Sequence, residues 1–347
     1  MVKNNRIQFW RIVFTYLIAF YHLGTVYGDN KSWYIAVEFF FLVSGWLLAD
    51  KFERLKQGNE LSQYTSGQYV WNKVRSFFPH CLFSFLVAFA ITGIYNGYTL
   101  HQYAEQLVSH LPEIFLLHSV GLNLTSSFWF NSPVWYISTM LIISFFLWFA
   151  LRRDEDKTVH FWIPLAVLLI YPYLYRTYGS LTEHYQVTDG IMNSALLRGA
   201  AAMGLGVLAR HLRDKVRKDW LGAVISDVAL IAGGIILPMF WYRSSMDFLF
   251  TALLFVGVTY GFACGRNLLF NNSLVEKWAA ITPAIYLNHK VFRNVCKVLW
   301  PVRSWKVDLA FGVFVTGYSV ITWLVFFYLW GRWREKQELS AGKDAEI

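Results

Sequence analysis

An arginine and a histidine on an otherwise apolar segment give the first indication of chemistry in this sequence. In RIVFTYLIAFYHL, Arg11 and His22 are eleven residues apart, which is about three helical turns, so both side chains lie on one helix face, separated by roughly 16 Å along the axis. An imidazole can act as a general base, and a guanidinium can bind an anion. Two alternatives stay open: Arg11 can extend to lipid headgroups, and His22 can be a packed interior histidine.

The second apolar segment, WYIAVEFFFLVSGWLLADKF, contains a carboxylate, Glu38, among aromatic residues. A carboxylate buried in an apolar segment is costly unless a cation or a hydrogen-bond donor compensates it. The candidate partners are the cations Arg11, Lys73 and Arg75, or the imidazole of His22. The first two segments are joined by a short turn, so Glu38 and His22 are expected to be the closer pair.

Ser44 and Trp135 occupy positions for which a structural role is as plausible as a functional one. Ser44 precedes Gly45, and such small residues often mark a close approach of two helices. Trp135 lies in SPVWYISTM, where a transmembrane helix would meet the membrane interface and where aromatic residues are enriched for that reason alone.

The stretch WNKVRSFFPHCLFSF combines cations with a proline at the start of another apolar segment. Lys73 and Arg75 precede Pro79 and His80, and a proline in the first turns removes a backbone hydrogen bond and can kink the helix. Two cations at the mouth of a membrane helix can bind the phosphates of an entering ligand. Contact with lipid headgroups is the alternative interpretation.

The stretch TPAIYLNHKVFRNVCK carries more polar side chains than a lipid-facing helix tolerates. His289 and Arg293 are four residues apart and therefore lie on one helix face. Arg198, in LLRGAAAMGLG, adds another cation within an apolar segment. Within two turns of His289, the stretch TPAIYLNHKVFRNVCK also contains Tyr286, Asn288 and Lys290. This concentration of polar groups indicates a water-filled or ligand-filled centre.

The composition indicates a membrane protein. Of 347 residues, 56% are hydrophobic and 15% are charged, whereas a soluble domain carries about 25% charged residues. Apolar runs recur that are long enough to cross a hydrocarbon core of about 30 Å. We therefore predict an all-α, polytopic transmembrane bundle with about ten spans, at residues 7–27, 33–50, 75–95, 131–151, 159–175, 191–212, 220–241, 247–264, 277–299 and 307–331.

The distribution of Lys and Arg predicts the orientation of these spans. If both termini are cytoplasmic, most of the 31 basic residues fall in cytoplasmic segments, as the positive-inside rule requires. Cytoplasmic loops face anionic headgroups, which explains the net charge of +9 without a nucleic-acid partner. Residues 96–130 do not fit a simple span, and we expect an extracytoplasmic segment with an amphipathic or re-entrant piece around 112–120. The three cysteines have no paired spacing, so they predict neither disulfides nor a metal site.

These motifs together resemble the integral-membrane acyltransferase-three family, bacterial enzymes that O-acylate surface glycans and related acceptors. The resemblance runs from about residue 6 to 330. Arg11 and His22 match the arginine, ten residues and histidine of the family's first span, and KVRSFFPHCLF is similar to its basic entry to the third span. VEFFFLVSGWLLA and the VWYIS and IYLNH motifs are similar to other family signatures, at Glu38, Phe40, Phe41, Ser44, Gly45, Trp135, Tyr286 and His289.

The resemblance implies an acyl-CoA-dependent O-acyltransferase that moves an acyl group, expected to be acetyl, to a hydroxyl of a surface glycan or its precursor. It implies residues 1–335 as one transmembrane acyltransferase domain in the inner or plasma membrane, residues 336–347 as a short cytoplasmic tail, and acyl-CoA as a substrate with no bound cofactor or metal. Partners are then acyl-CoA, the glycan or lipid-linked acceptor and membrane lipids.

The same resemblance implies roles for the site residues. His22 would be the general base, with Arg11 and Glu38 completing the catalytic group. The expected substrate-binding or donor-binding residues are Lys73, Arg75, His80, Ser44, Trp135, Tyr286, His289 and Arg198. An acyl-histidine intermediate is an alternative route to this direct transfer. A transporter or exporter of a glycan or lipid-linked intermediate is the alternative function, since it also requires buried polar groups in a helical bundle; a membrane scaffold is a third.

Overall fold

The computed structural model describes residues 4–29, 31–120, 129–182, 187–188, 192–242, 245–264, 273–329 and 332. Within these ranges the chain is almost entirely helical, with one antiparallel pair of two-residue strands, β1 (Val187–Thr188) and β2 (Met192–Asn193). The all-helical class predicted from the sequence is confirmed. The predicted tail, residues 336–347, lies outside the described residues.

The first half of the chain contains three long helices, two short helices and a further long one. Asn4 and Thr65 cap the first and third of these through side-chain oxygens that accept backbone N–H groups, a common way to satisfy the first turn of a helix. The helices are α1 (Asn5–Thr25), α2 (Ala36–Gln57), α3 (Ser66–Asn96), α4 (Leu100–Ser109), α5 (Leu111–Ile114) and α6 (Trp135–Arg153).

The second half continues with helices that are in places joined by π-helical turns without a loop. The π segments are Thr158–Trp162, Ala232–Ile236 and Leu324–Leu329. The helices are α7 (Glu155–Lys157), α8 (Ile163–Tyr178), α9 (Ser194–Leu212), α10 (Trp220–Ile231), α11 (Leu237–Phe240), α12 (Met246–Ala263), α13 (Ser273–Leu299) and α14 (Trp305–Trp323).

Each of the ten predicted spans overlaps a long helical segment of the described chain. Six segments are long and apolar enough to cross a membrane by length and composition: Ser66–Asn96, Ser132–Arg153, Glu155–Tyr178, Trp220–Phe240, Met246–Ala263 and Trp305–Phe326. The protein is therefore a multi-pass membrane protein. The ten-span count and the cytoplasmic termini stay predictions.

The long helices outside that group of six are α1, α2, α9 and α13, and they carry most of the polar residues singled out in the sequence, whereas Lys73, Arg75 and His80 lie on α3. They pack in pairs, α1 against α13 and α2 against α9. The tightest approach is between α2 and α9, where a side chain on Gly45 would collide with the Met203 backbone and one on Gly206 with the Leu42 backbone. The more polar helices thus form the interior pairs that position the site.

The described part of the region 96–130, residues 96–120 and 129–130, contains the short helices α4 and α5. Thr99 and Gln102 cap α4 reciprocally. The buried Glu113 of α5 accepts the backbone N–H groups of Phe130 and Asn131, and Asn131 donates to the Leu287 carbonyl at 3.1 Å. This segment is thereby held against the middle of α13, next to the site.

Candidate functional site

Two histidines meet where α1 packs against α13. Nδ1 of His22 lies 3.1 Å from Nε2 of His289, and the two ring centroids are 4.8 Å apart. His289 is fully buried, whereas His22 is partly exposed. The predicted base and the histidine of the IYLNH motif are thus in direct contact.

Backbone carbonyls determine which nitrogen of each ring carries the proton. His22 Nδ1 lies 3.0 Å from the Ile18 carbonyl, and His289 Nδ1 lies 2.7 Å from the Tyr286 carbonyl. A carbonyl oxygen only accepts, so both Nδ1 atoms are assigned as N–H donors. Neutral His289 then presents the lone pair of Nε2 to His22, whose N–H is shared between two acceptors. The Nε2 atom of His22 is left as a lone pair without a hydrogen-bond partner among the described residues.

A cavity of about 160 Å³ lies beside this pair, between α1, α2, α3, α6 and α13. Arg11 and Lys73 line it, and Lys51 is near enough for its charge to act on Lys73, as does that of Arg11. Arg11 donates to the Gln8 side chain at 2.7 Å, and Lys51 to the Tyr64 hydroxyl at 2.6 Å. Arg11 and Lys73 in the lining, with Lys51 outside it, give this region a concentration of positive charge suited to phosphate groups.

Aromatic side chains separate the cavity from the histidine pair. Among the described residues, neither histidine lines the cavity; its nearest lining residue is Tyr286, whose ring centroid is 5.8 Å from that of His289. Tyr286 donates to the Pro133 carbonyl at 2.7 Å. Tyr136 is within hydrogen-bond distance of the Ser44 hydroxyl, 2.8 Å away. Ser44 thus lines the cavity and fixes one of its aromatic walls.

Glu38 has a different partner from the one expected. It is fully buried and forms an ion pair with Arg198 of α9, and Tyr171 donates to it at 3.4 Å. Trp135 packs over the Arg198 guanidinium at 5.5 Å. The expectation that Glu38 orients His22 is therefore corrected: a buried carboxylate is compensated most strongly by direct contact with a cation, and α9 supplies that cation while His22 bonds to Ile18 and His289.

His80 lies in a separate polar cluster. Its Nε2 donates to Asn288 Oδ1 at 3.3 Å, as does Ser84 at 2.8 Å, while the Asn288 amide donates to Ser319 and Thr322. His80 does not line the cation cavity among the described residues. This cluster joins α3, α13 and α14, and the donor-binding role expected for His80 stays a prediction.

Arg75 points away from Lys73, although the two are close in sequence. It is exposed and lines a groove of about 800 Å³ between α3 and α6, together with Trp71 and Phe146. Positions two apart on a helix lie on different faces, and accordingly Arg75 and Lys73 line different cavities. The structure therefore places Lys73, and not Arg75, with Arg11.

One further group of side chains has the composition of a metal site. Glu53, Glu155 and His211 bring ligand atoms within 4.8 Å of one another. Both carboxylates already have cationic partners, since Arg210 pairs with Glu53 at 2.6 Å and Lys56 with Glu155 at 2.5 Å. We interpret the group as an ion-pair network that joins α2, α7 and α9.

Sequence reasoning missed three contributors to the site. Lys51 follows Ser44 by seven residues, two helical turns along the same face, and this spacing is the signal that could have identified it. Tyr136 follows Trp135 directly, in a stretch where aromatic residues are expected at the membrane interface for structural reasons. The contact of His289 with His22 joins residues 267 positions apart, and no local spacing predicts such a pair.

The fold and these contacts define a multi-pass helical membrane protein with a histidine pair next to a cation-lined cavity. The chain matches the family model described as an acyltransferase domain over residues 4–331. The protein therefore belongs to the acyltransferase-three family, and the family predicted from the motifs is confirmed. No curated protein and no solved structure gives a significant match.

Proposed function

We propose that this acyltransferase moves an acyl group, with acetyl the expected case, from acyl-CoA to a hydroxyl of a surface glycan or glycan precursor at the plasma membrane. The observation that carries the proposal is the state of His22, whose Nδ1 is held by Ile18 and His289 while Nε2 keeps a lone pair. A fixed imidazole with one open nitrogen has the form that a general base requires.

The cation cavity is the proposed donor site. The phosphates of coenzyme A carry several negative charges, and Arg11, Lys73 and Lys51 bring three positive charges together. A guanidinium and ammonium groups in a partly desolvated cavity bind phosphate oxygens more strongly than they do in water. The pantetheine arm then reaches from the cavity past Tyr286 to the histidine pair, which requires that ring to move.

In the proposed transfer, Nε2 of His22 takes the proton of the acceptor hydroxyl while that oxygen attacks the thioester carbonyl carbon. The tetrahedral intermediate collapses, the carbon–sulfur bond breaks, and the thiolate of coenzyme A takes the proton back from the imidazolium. The acyl-histidine route uses the same nitrogen as the nucleophile. His289 accepts a hydrogen bond from His22 in this arrangement, so we assign it to positioning the base and not to donating to an oxyanion.

The central test is replacement of His22 by alanine. General-base catalysis contributes typically about 10²- to 10⁴-fold, so His22→Ala is expected to lose transfer by at least about 100-fold. Membranes that contain the protein are incubated with labelled acetyl-CoA, and label transferred to glycan or water is measured. His101→Ala is the matched control, since His101 is an exposed histidine of α4 and its removal is expected to leave the rate unchanged.

Two results separate the competing functions. Transfer at the wild-type rate in a folded His22→Ala protein would falsify the assignment of the base. A wild-type protein that consumes no acetyl-CoA under any acceptor condition would contradict the acyl-CoA-dependent activity and favour a transporter or a scaffold. Retention of His22→Ala in the membrane fraction, with an unchanged thermal midpoint, excludes misfolding as the cause of lost activity.

A further inference from the structure

Arg293 is a cation beside the histidine pair, and it is not part of the proposed donor site. We propose that Arg293 binds an anionic group of the acceptor, a carboxylate or a phosphate, so that the enzyme acylates hydroxyls of acidic acceptors in preference to neutral ones. This inference rests on the proposed function and adds the chemical class of its second substrate.

The position of Arg293 relates it directly to the base. It lies one helical turn after His289 on α13, on the same face, and its charge acts on both His22 and His289. Its side chain is partly exposed, as is that of His22. A ligand that reaches His22 from outside the bundle therefore passes close to this guanidinium.

Among the described residues, Arg293 lacks an acidic partner of the kind that Arg198 and Arg303 have. Its Nε donates to Asn294 Oδ1 at 3.1 Å, and within the described ranges no carboxylate pairs with it. By contrast, Arg198 pairs with Glu38, and Arg303 pairs with both Asp29 and Asp308. A guanidinium has five N–H donors, so Arg293 retains the terminal fork that binds carboxylate or phosphate oxygens in a bidentate manner.

The order of groups along α13 places Arg293 on the opposite side of the histidines from the donor cavity. The residues of α13 that line the cavity are Thr282, Pro283, Tyr286 and Leu287, all of which precede His289. Arg293 follows His289 by about 6 Å along the helix axis. The two sets of cations thus flank the base, which fits a donor approaching from one side and an anionic acceptor from the other.

The test compares paired soluble acceptors on the full-length protein in lipid nanodiscs. Consumption of labelled acetyl-CoA is measured at increasing concentrations of glucuronate, glucose 1-phosphate or glucose. A sugar that accepts the acyl group increases consumption, and one that only occupies the site decreases it. In either case, the sugar concentration that gives half of the maximal change is recorded. In the wild type, the two anions are expected to act at lower concentration than glucose. The carboxylate and phosphate arms distinguish the two sources of the anionic group.

In Arg293→Gln, the half-maximal concentration of both anions is expected to rise about 10- to 100-fold, the range set by loss of a hydrogen bond to a charged group. The value for glucose and the KM for acetyl-CoA should not change. Arg293→Lys keeps the positive charge but not the two terminal N–H donors. Its half-maximal concentration for the anions is expected to lie between those of the wild type and Arg293→Gln. Lys297→Gln removes a cation from the next turn, one that packs over Tyr27, and is the control for a general loss of positive charge.

Several outcomes would overturn the inference while leaving the proposed function intact. These are equal action of the anions and glucose on the wild type, no action of either anion, or anion values that Arg293→Gln leaves unchanged. An increase in the KM for acetyl-CoA in Arg293→Gln would instead assign the cation to the donor. Absence of any acetyl-CoA consumption by the wild type would count against the proposed function itself.

Discussion

At the scale of residues, the decisive feature is that main-chain carbonyls determine the state of both histidines. Ile18 lies one turn before His22, and Tyr286 lies one turn before His289, so each helix fixes the proton position on its own ring. The contact between the two rings then follows from the packing of α1 on α13. The proposed base, His22, is thus positioned by local helix geometry together with a tertiary contact to His289.

His289→Ala is expected to lower kcat about 10- to 100-fold, the range found when a partner that orients a functional histidine is lost, with the KM for acetyl-CoA unchanged. His289→Gln retains a side-chain acceptor and should restore part of the rate. Steady-state kinetics of the three proteins check this. A purely structural role would predict equal losses in both variants, together with a lower thermal midpoint.

The cation cavity predicts which basic residues bind the donor. Lys73→Gln and Arg11→Gln should each raise the KM for acetyl-CoA about 10-fold or more, because each removes a charge-assisted contact to phosphate. Arg75→Gln is the matched control, since Arg75 lies on the other face of α3 and lines the lateral groove. A larger effect from Arg75 than from Lys73 would contradict the assignment of the donor site to this cavity.

The sequence predicted which residues share a helix face but not which residues meet across helices. Helical periodicity placed Arg11 with His22 and His289 with Arg293, because a spacing along one helix is a local property. The partner of Glu38 is 160 positions away on α9, and the spacing of charges on α1 and α2 contains no information about it. The proposed site was therefore predictable as a set of residues and not as a set of contacts.

At the scale of elements, the polar helices are those that pack in the interior. Predicted spans matched helices throughout, because long apolar runs and helix caps are encoded locally. The pairing of α2 with α9 was visible only as small residues near Ser44, and the π-helical turns gave no sequence signal that we identified. Gly45 shows the reason for the pairing, since the Met203 backbone occupies the space of a side chain.

This close approach predicts a steric cost for a single methyl group. Gly45→Ala should destabilise the protein by about 1–3 kcal/mol, the usual range for overpacking a well-packed interior, because α2 and α9 must separate. Gly317→Ala is the matched control, since an added methyl group on α14 meets nothing within 4 Å and has the same effect on helix propensity. Thermal unfolding in detergent provides the measurement. Equal midpoints for the two variants would show that the helices adapt without cost.

At the scale of the whole molecule, the charges at the helix ends predict an orientation. The connection between α2 and α3 is flanked by Lys and Arg residues in the adjoining helix ends, and the one between α9 and α10 contains several, whereas the connections between α3 and α4 and between α13 and α14 carry few. The positive-inside rule assigns the first two connections to the cytoplasm. This orientation places Arg11 and Lys73 near the side where acyl-CoA is made and Arg293 toward the other side.

Single cysteines can test that orientation in the otherwise native protein, because Cys81, Cys264 and Cys296 are all buried and should react slowly. Asn59, between α2 and α3, and Asp214, between α9 and α10, are exposed and are each replaced by Cys. Asn96, at the end of α3, and Val302, between α13 and α14, are also exposed and are replaced in the same way. A membrane-impermeant maleimide should label Asn96→Cys and Val302→Cys in intact cells, and Asn59→Cys and Asp214→Cys only after permeabilisation. The opposite labelling pattern would show that the protein has the inverted orientation. The proposed donor site would then face the side of the membrane that has no acyl-CoA, which would contradict the proposal. Labelling of Asn59→Cys and Asn96→Cys from the same side would show that α3 does not cross the membrane.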